Sequence, residues 1–223
     1  MGEAERAEAA AIARGSHGTI SAPAGTKPSD VASVVGRLCR QREEPALIAW
    51  AQRRGLLLAA APFDRAWEDG GRMEGAEHQV WFDPASGRWW KRNNGSFHRT
   101  WGELLDRIAL HNLLFPHAPL RFEGFMVTAD GLQLVASQPD VRAARGATRA
   151  EVEAMMTAFG FRRRTERLAD GQLRETDDYE HPDGLRVDDL HDENVLVDDR
   201  GTLVVIDPFL HQLHPRTEEP RVF

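Results

Sequence analysis

Residues 185–208, reading LRVDDLHDENVLVDDRGTLVVIDP, constrain the fold more than any other stretch of the chain. Residues 194–197 and 203–206 look like two short strands around Asp198-Asp199-Arg200-Gly201. That is turn chemistry between two strands, and it predicts a tight antiparallel hairpin. Asn194 opens the first strand and Asp207 follows the second, so the hairpin brings both to one open end. Asp189 precedes Asn194 on the adjoining loop. Two oxygen donors at one hairpin end can hold a hard cation such as Mg2+, leaving places for water and phosphate oxygens. A third oxygen group on the loop can orient and deprotonate a hydroxyl. Phosphoryl transfer divides its labour in this way. Asp188, Asp192, Glu193, Asp198 and Asp199 are expected to be solvated, as charge runs at hairpin ends usually are. An EF-hand does not fit, because the spacing differs and the central glycine is missing.

The rest of the chain supplies a frame for this hairpin. Residues 1–27 contain almost no large apolar side chains and read as a disordered, mobile tail with at most a nascent helix in the first dozen. Residues 28–66 read as a helical extension made of two helices. One runs through Val31, Val34, Val35 and Leu38, and another from Pro45 to Gly55. Residues 77–82 and 88–92 form a hairpin around Asp83-Pro84-Ala85-Ser86-Gly87. A helix over about 100–115 carries the stripe Trp101, Leu104, Leu105 and Ile108 and stops at Pro116. Strands follow over 121–128 and 132–137, the second ending at Gln138-Pro139. Thr148 and Glu151 make a capping box that opens a helix closed by Gly160. Residues 162–184 read as charged and turn-rich, with one strand near Glu175. Strands before the connector and helix plus hairpin after it point to two lobes with a cleft at the connector.

Bulk properties exclude several classes. The chain has 223 residues, 41% of them hydrophobic and 28% charged, which is ordinary for a soluble globular protein. A net charge of -7 argues against broad nucleic-acid binding or a basic membrane surface. The single cysteine, Cys39, cannot form an internal disulfide and suits a reducing cytoplasm. Residues 56–61 are too short an apolar run to span a bilayer, and the acidic, alanine-rich N-terminus lacks the order of a signal peptide. His211 and His214 have no third ligand at zinc spacing.

The segment D-L-H-D-E-N-V-L-V, a turn, then V-V-I-D resembles the catalytic loop and metal-binding aspartate of the protein-kinase-like superfamily. Its D-L-H-x-x-N form is similar to that of aminoglycoside phosphotransferases. The wider chain, from about Gly70 to Pro208, resembles the kinase domain of phage-type polyvalent proteins, through EGAEHQVWFD, ELLDRIALHNLLFP, the strand ending in ASQP, and DLHDENVLVD. The resemblance implies an α+β, compact, two-lobed protein-kinase-like fold. Its parts are a β-rich N-lobe over 67–137, a reduced and truncated C-lobe over 138–223, and the N-terminal helical extension.

It further implies Asp189 as catalytic base, Asn194 as a metal ligand and Asp207 as the principal metal ligand. Lys91 (in RWWKR) then contacts the ATP phosphates. Glu103 on the following helix holds the ammonium, with Asp106 as the fallback. The glycines Gly70, Gly71 and Gly75 lie where a phosphate-covering loop belongs but do not form G-x-G-x-x-G. Gln138 belongs to the hinge facing adenine, and Leu196 and Ile206 line the cleft. His191, two residues after the base, either stabilises phosphate charge or orients the loop.

There are three departures. Val187 replaces the usual organising histidine, His191 replaces lysine, and Pro208-Phe209 follows Asp207 with only a short remainder for a substrate platform. The expected activity is ATP- and Mg2+-dependent transfer of the γ-phosphoryl group to a hydroxyl, of a protein by the polyvalent resemblance. The alternatives are a small-molecule kinase and a nucleotide-binding pseudokinase acting as an interaction module. A role in phage or other mobile elements is implied by the family alone.

Overall fold

Alternating apolar strands between residues 78 and 139 build the larger sheet of the protein. They are seen in a computed structural model that describes residues 2–16, 20–59, 72–74, 78–167 and 171–212. The strands are β1 (Leu57–Leu58), β2 (Arg72–Glu74), β3 (His78–Asp83), β4 (Arg88–Asn93), β5 (Arg121–Thr128) and β6 (Gly131–Pro139), in the order β1-β5-β6-β4-β3-β2. β6 lies between β4 and β5 and is buried from Leu132 through Gln138. Its Leu132, Leu134 and Ala136 join Phe122 and Phe125 of β5 in the core.

Three helices complete this core: α1 (Glu3–Gly15), α2 (Val31–Arg54) and α3 (Trp101–Leu114). The expected hairpin at 77–92, the helix at 100–115 and the strands at 121–137 all form. With β1 to β6 and these helices, residues 1–114 and 119–140 make one compact unit.

The expected mobile tail is corrected over Glu3–Gly15, which is helical and packed. Ala9, Ala10 and Ala13 have no exposed surface, and Arg6 donates to the Leu105 carbonyl at 3.0 Å. Small side chains let the helix backbone come close to α3, so few large apolar residues are needed. The two helices expected over 28–55 are one. A 3-10 turn (Pro28–Asp30) leads into α2, which continues through Pro45. Proline removes one backbone donor, but the surrounding turns are pinned. Glu43 is fully buried and accepts the Trp101 N–H at 2.7 Å, joining α2 to the start of α3.

Gly55 closes α2 in the left-handed conformation, and the chain turns into β1, which runs parallel to β5. This turn requires Gly124. A Cβ there would lie 2.2 Å from the Leu56 carbonyl oxygen, and its φ is +146°.

The second unit comprises residues 115–118 and 141–223. It holds β7 (Ala143–Gly146), α4 (Arg149–Ala158), β8 (Arg162–Arg167), β9 (Leu173–Glu180), β10 (Leu185–Asp188), β11 (Val195–Asp198), β12 (Leu203–Val205) and β13 (Phe209–Gln212). One sheet runs β13-β10-β9-β8 and the other β12-β11-β7. Residues 162–184 are therefore mostly strand, correcting the turn-rich reading. The β8–β9 pair lacks apolar alternation because its cross-strand partners are ionic: Arg174 with Glu166 at 2.5 Å and Arg164 with Glu180 at 2.8 Å.

The capping box at the start of α4 forms as the sequence indicates. The Thr148 N–H donates to Glu151 Oε2 at 2.8 Å, and Arg145 grips the same carboxylate at 2.6 and 2.8 Å. Arg145 first, then Thr148, hold the Glu151 carboxyl down at about 2, against an ordinary 4.5. A folded-state pKa below the unfolded one stabilises fully above the unfolded value, and the contribution is lost as pH falls through the folded value. The melting temperature of the wild-type chain is therefore expected to fall more steeply between pH 4.5 and about 2 than that of Glu151→Gln. Parallel slopes in thermal denaturation would contradict the assignment.

Candidate active site

Two short ladders in the second unit bring the acidic residues together. β11 pairs with β12 in the register Val195↔Val205, Leu196↔Val204 and Val197↔Leu203. The Ile206 N–H donates to the Asn194 carbonyl at 3.0 Å, extending the ladder by one rung. Asn194 and Asp207 therefore sit at the same hairpin end. β10 pairs with β13, Asp188 lying opposite Phe209. Asp189 leaves the end of β10 at which β13 begins, and Asp207 and Pro208 connect β12 to that same end. Asp189, Asn194 and Asp207 thus converge through backbone pairing.

The loop between β10 and β11 is anchored from beneath. Leu190 is buried, and its N–H donates to the Asp177 carbonyl of β9 at 3.1 Å. The N–H groups of Asn194 and Val195 both bond the His191 carbonyl at 3.0 Å. On the other side, Gly146 of β7 faces Leu196, and a Cβ on Gly146 would lie 2.6 Å from the Asp192 carbonyl oxygen. Only a bare Cα lets β7 support the loop at this distance.

Asp189 alone among the described non-glycine residues has a positive φ, +67°. Aspartate tolerates this left-handed region better than most residues, and such conformations recur at functional sites. Its carboxylate is exposed but oriented. Asn194 Nδ2 donates to Asp189 Oδ2 at 3.1 Å and to the Asp189 carbonyl at 2.9 Å. His191 Nδ1 accepts the Glu193 N–H at 3.3 Å, and Nε2 lies 3.2 Å from both Asp189 Oδ1 and Asn194 Nδ2. His191 thus contacts the loop's own groups, Asp189, Glu193 and Asn194.

With the Asn194 amide nitrogen committed to Asp189, its Oδ1 is the atom left for a cation. The half-buried Asp207 follows the rung beside it. An amide and a carboxylate oxygen are hard donors that suit Mg2+ completed by water and phosphate. Among the described residues no group of three or more His, Cys, Asp or Glu side chains forms a metal cage.

Asp188 differs from the solvated residue expected of it. Its side chain is only 16% exposed. Arg186 Nε donates to Oδ1 at 2.5 Å, and His211 Nε2 lies 3.0 Å from Oδ2. Burial pushes its carboxyl up, but His211 and Arg186 outweigh burial and hold it below the ordinary aspartate value. Asp198 also has work to do. Its Oδ1 accepts the N–H groups of Thr202 and Arg200 at 2.7 and 2.9 Å and shapes the hairpin turn.

A cavity of about 530 Å³ opens beside Asp189 and His191, bounded by Arg149 of α4, Glu166 of β8 and Arg174 to Asp178 of β9. Every described residue lining it is polar or charged. Of the β8–β9 pair that walls it, only the strand near Glu175 was read from the sequence. The only signal available there was the opposition of arginines and acids at strand-pair spacing.

In the first unit Lys91 lies on β4 between Val80 and Ala136 and is 7% exposed. Gln138 is buried at the end of β6, its amide nitrogen 3.4 Å from His111 Nε2 of α3. Glu103 caps α3: its Oε2 accepts the Arg99 N–H at 2.8 Å, while its own N–H donates to Thr100 Oγ1 at 3.0 Å. Asp106 pairs with Arg14 at 2.8 Å and Arg6 at 3.7 Å. Both acids of α3 therefore hold structural partners. Leu196 and Ile206 of the second unit are half-buried. Gly70, Gly71 and Gly75 lie outside the described residues.

A family model for the serine/threonine/tyrosine kinase found in polyvalent proteins matches residues 40–213, from within α2 to just past β13. No curated protein and no solved structure matches, so the likeness to aminoglycoside phosphotransferases has no counterpart in these comparisons. Among the described residues no helix is long and apolar enough to cross a membrane.

The support beneath the loop is testable by stability alone. Gly146→Ala is expected to destabilise the chain by about 1–3 kcal/mol in chemical denaturation, as over-packing does. Gly15→Ala, where a Cβ meets nothing within 4 Å, serves as the control and should not destabilise. Equal midpoints for Gly146→Ala and wild type would contradict the close approach.

Proposed function

The chain belongs to the family of serine/threonine/tyrosine kinases found in polyvalent proteins, and from that premise we propose that it transfers the γ-phosphoryl group of ATP, with Mg2+, to a hydroxyl of a protein. What carries the reading is the convergence of Asp189, Asn194 and Asp207 at the shared end of two strand ladders. Asp189 is the base that orients the attacking hydroxyl and accepts its proton. Its carboxylate is held by Asn194 and His191, so little is left to reorganise when an acceptor arrives. Asn194 Oδ1 and Asp207 would hold the metal, which when bound neutralises phosphate charge. Lys91 is assigned the nucleotide phosphates by its position in the family pattern. A protein acceptor is supported by the family description and by the polar cavity beside Asp189.

A nucleotide-binding module without turnover is the second reading. It is favoured by Glu103 and Asp106, the acids expected to steady Lys91, both being engaged elsewhere.

Incubation with labelled ATP and Mg2+ separates the two. Asp189→Asn is the better variant than alanine, because asparagine also accepts a left-handed backbone. It is expected to lower turnover by about 10²–10⁴-fold, the usual worth of a general base, while nucleotide binding persists. Asp207→Asn is expected to weaken Mg2+-dependent nucleotide binding itself. Equal loss of binding in both variants would overturn the roles, and ATP binding with no transfer under any divalent metal would favour the binding module.

A further inference from the structure

The strand before the base and the strand after the metal-binding aspartate are joined by more than backbone. Where the resemblance puts an organising histidine, this chain has Val187. It is fully buried, paired with Tyr179 on one side and Leu210 on the other, and can donate nothing from its side chain. Asp188, next in the strand, points to the opposite face and reaches across the ladder. Its partner on β13 is Phe209, yet its carboxylate meets His211, the diagonal neighbour, at 3.0 Å. Such diagonal pairs are within reach on one face of an antiparallel ladder. Arg186 takes the other oxygen and is itself steadied by Asp178 of β9 at 3.5 Å, which Arg164 of β8 also meets at 3.3 Å. The ring of Phe209 packs edge-on against His211, centroids 4.3 Å apart.

We propose that Asp188 is a positioning residue: through His211 it locks β13 to β10 and thereby sets the distance between Asp189 and Asp207. Resting on the phosphotransferase reading, the assignment gives an organiser's job to a residue one place after Val187 and to a histidine beyond Asp207. Asp188 also lines the polar cavity beside Asp189, but the role assigned to it does not depend on that contact. It acts through the main chain it pins, one residue from the left-handed turn at Asp189 on one side of the ladder and, at His211, four residues from Asp207 on the other.

The full chain tests this with Asp188→Asn, His211→Gln and the double variant, and with Asp199→Asn, in an exposed turn, as control. His211 is partly exposed, so His211→Gln is expected to fold even where Asp188→Asn does not. Amide hydrogen exchange over residues 189–194 and 207–209 should rise about tenfold in each single variant, whereas the core strands β5 and β6 stay protected. Turnover should fall about 10–100-fold with the KM for ATP changed less than about threefold, as expected when reacting groups are misplaced by a fraction of an ångström. The double variant should be no worse than the poorer single one, because both remove one tie. Unchanged exchange in the two segments would overturn the proposal. So would additive losses in the double variant, or a turnover loss matched by an equal rise in KM. A wild-type chain that transfers nothing would sink the kinase reading, and the exchange data alone would then decide the tie.

Discussion

The few residues from Ile206 to Phe209 belong to two ladders at once. On one side the Ile206 N–H closes the β11–β12 hairpin on Asn194, and on the other Phe209 opens β13 against Asp188. A chain with so short a link between two registers has little freedom to place Asp207 anywhere else. A slip of one residue in either ladder would turn every side chain of that strand to the other face. The buried faces resist such a slip. Val195, Val205, Val187 and Leu210 are all nearly without exposed surface, and exchanging any of them with a polar neighbour would expose apolar area and bury charge. The chemistry at the ladder ends therefore depends on apolar residues that take no part in it.

Charge does a different job in this unit. Some of its ion pairs join exposed side chains and contribute about 0–1 kcal/mol each. Arg163, like Asp188, is more sheltered. Its side chain is 7% exposed, and it meets Asp177, Glu175 and Glu153 at 2.9, 3.1 and 3.6 Å, with a further bond to the Thr176 carbonyl at 2.7 Å. Removing one exposed acid leaves the guanidinium with partners. Removing Arg163 leaves three carboxylates close together and vacates the side of β9 whose Asp177 carbonyl holds Leu190. The ionic hairpin and the loop carrying Asp189 are thus coupled through one strand.

What the sequence made legible follows from what its periodicity can encode. The hairpins at 78–93 and 195–205, the helix at 101–114 and the Thr148–Glu151 box all announce themselves through alternation, turn residues or capping pairs. β8 does not, and β9 does so only near Glu175, because their partners are arginines and acids, and charge alternation resembles a solvated loop when only one strand is in view. β10 was hidden for a related reason: its partner β13 lies beyond a proline, and two acids end it. The helix over residues 3–15 was hidden because alanines bury well at close range, although they contribute little to a hydrophobic pattern. Glu103 illustrates the limit for single residues. A glutamate three places after Thr100 is as good a capping residue as it is a lysine partner, and the local hydrogen bond to Arg99 is what forms.

Asp188 and Asp189 show how adjacent residues of one type come to opposite duties. In an extended strand, neighbours already point to opposite faces, which sends Asp188 toward Arg186 and His211. The strand then ends, and the left-handed turn at Asp189 swings the next carboxylate into the loop that Asn194 and His191 brace. An extended backbone at residue 189 would continue the strand past the end where Asn194 and Asp207 meet. Burial then separates the two acids chemically. The inner one is held below the ordinary aspartate value because hydrogen bonds from His211 and Arg186 outweigh the loss of water. The outer one remains in contact with solvent, its two oxygens braced by Asn194 and His191 and accessible to a proton from outside. A single change of backbone hand between two identical residues thus separates the carboxylate that holds the frame from the carboxylate assigned to the reaction.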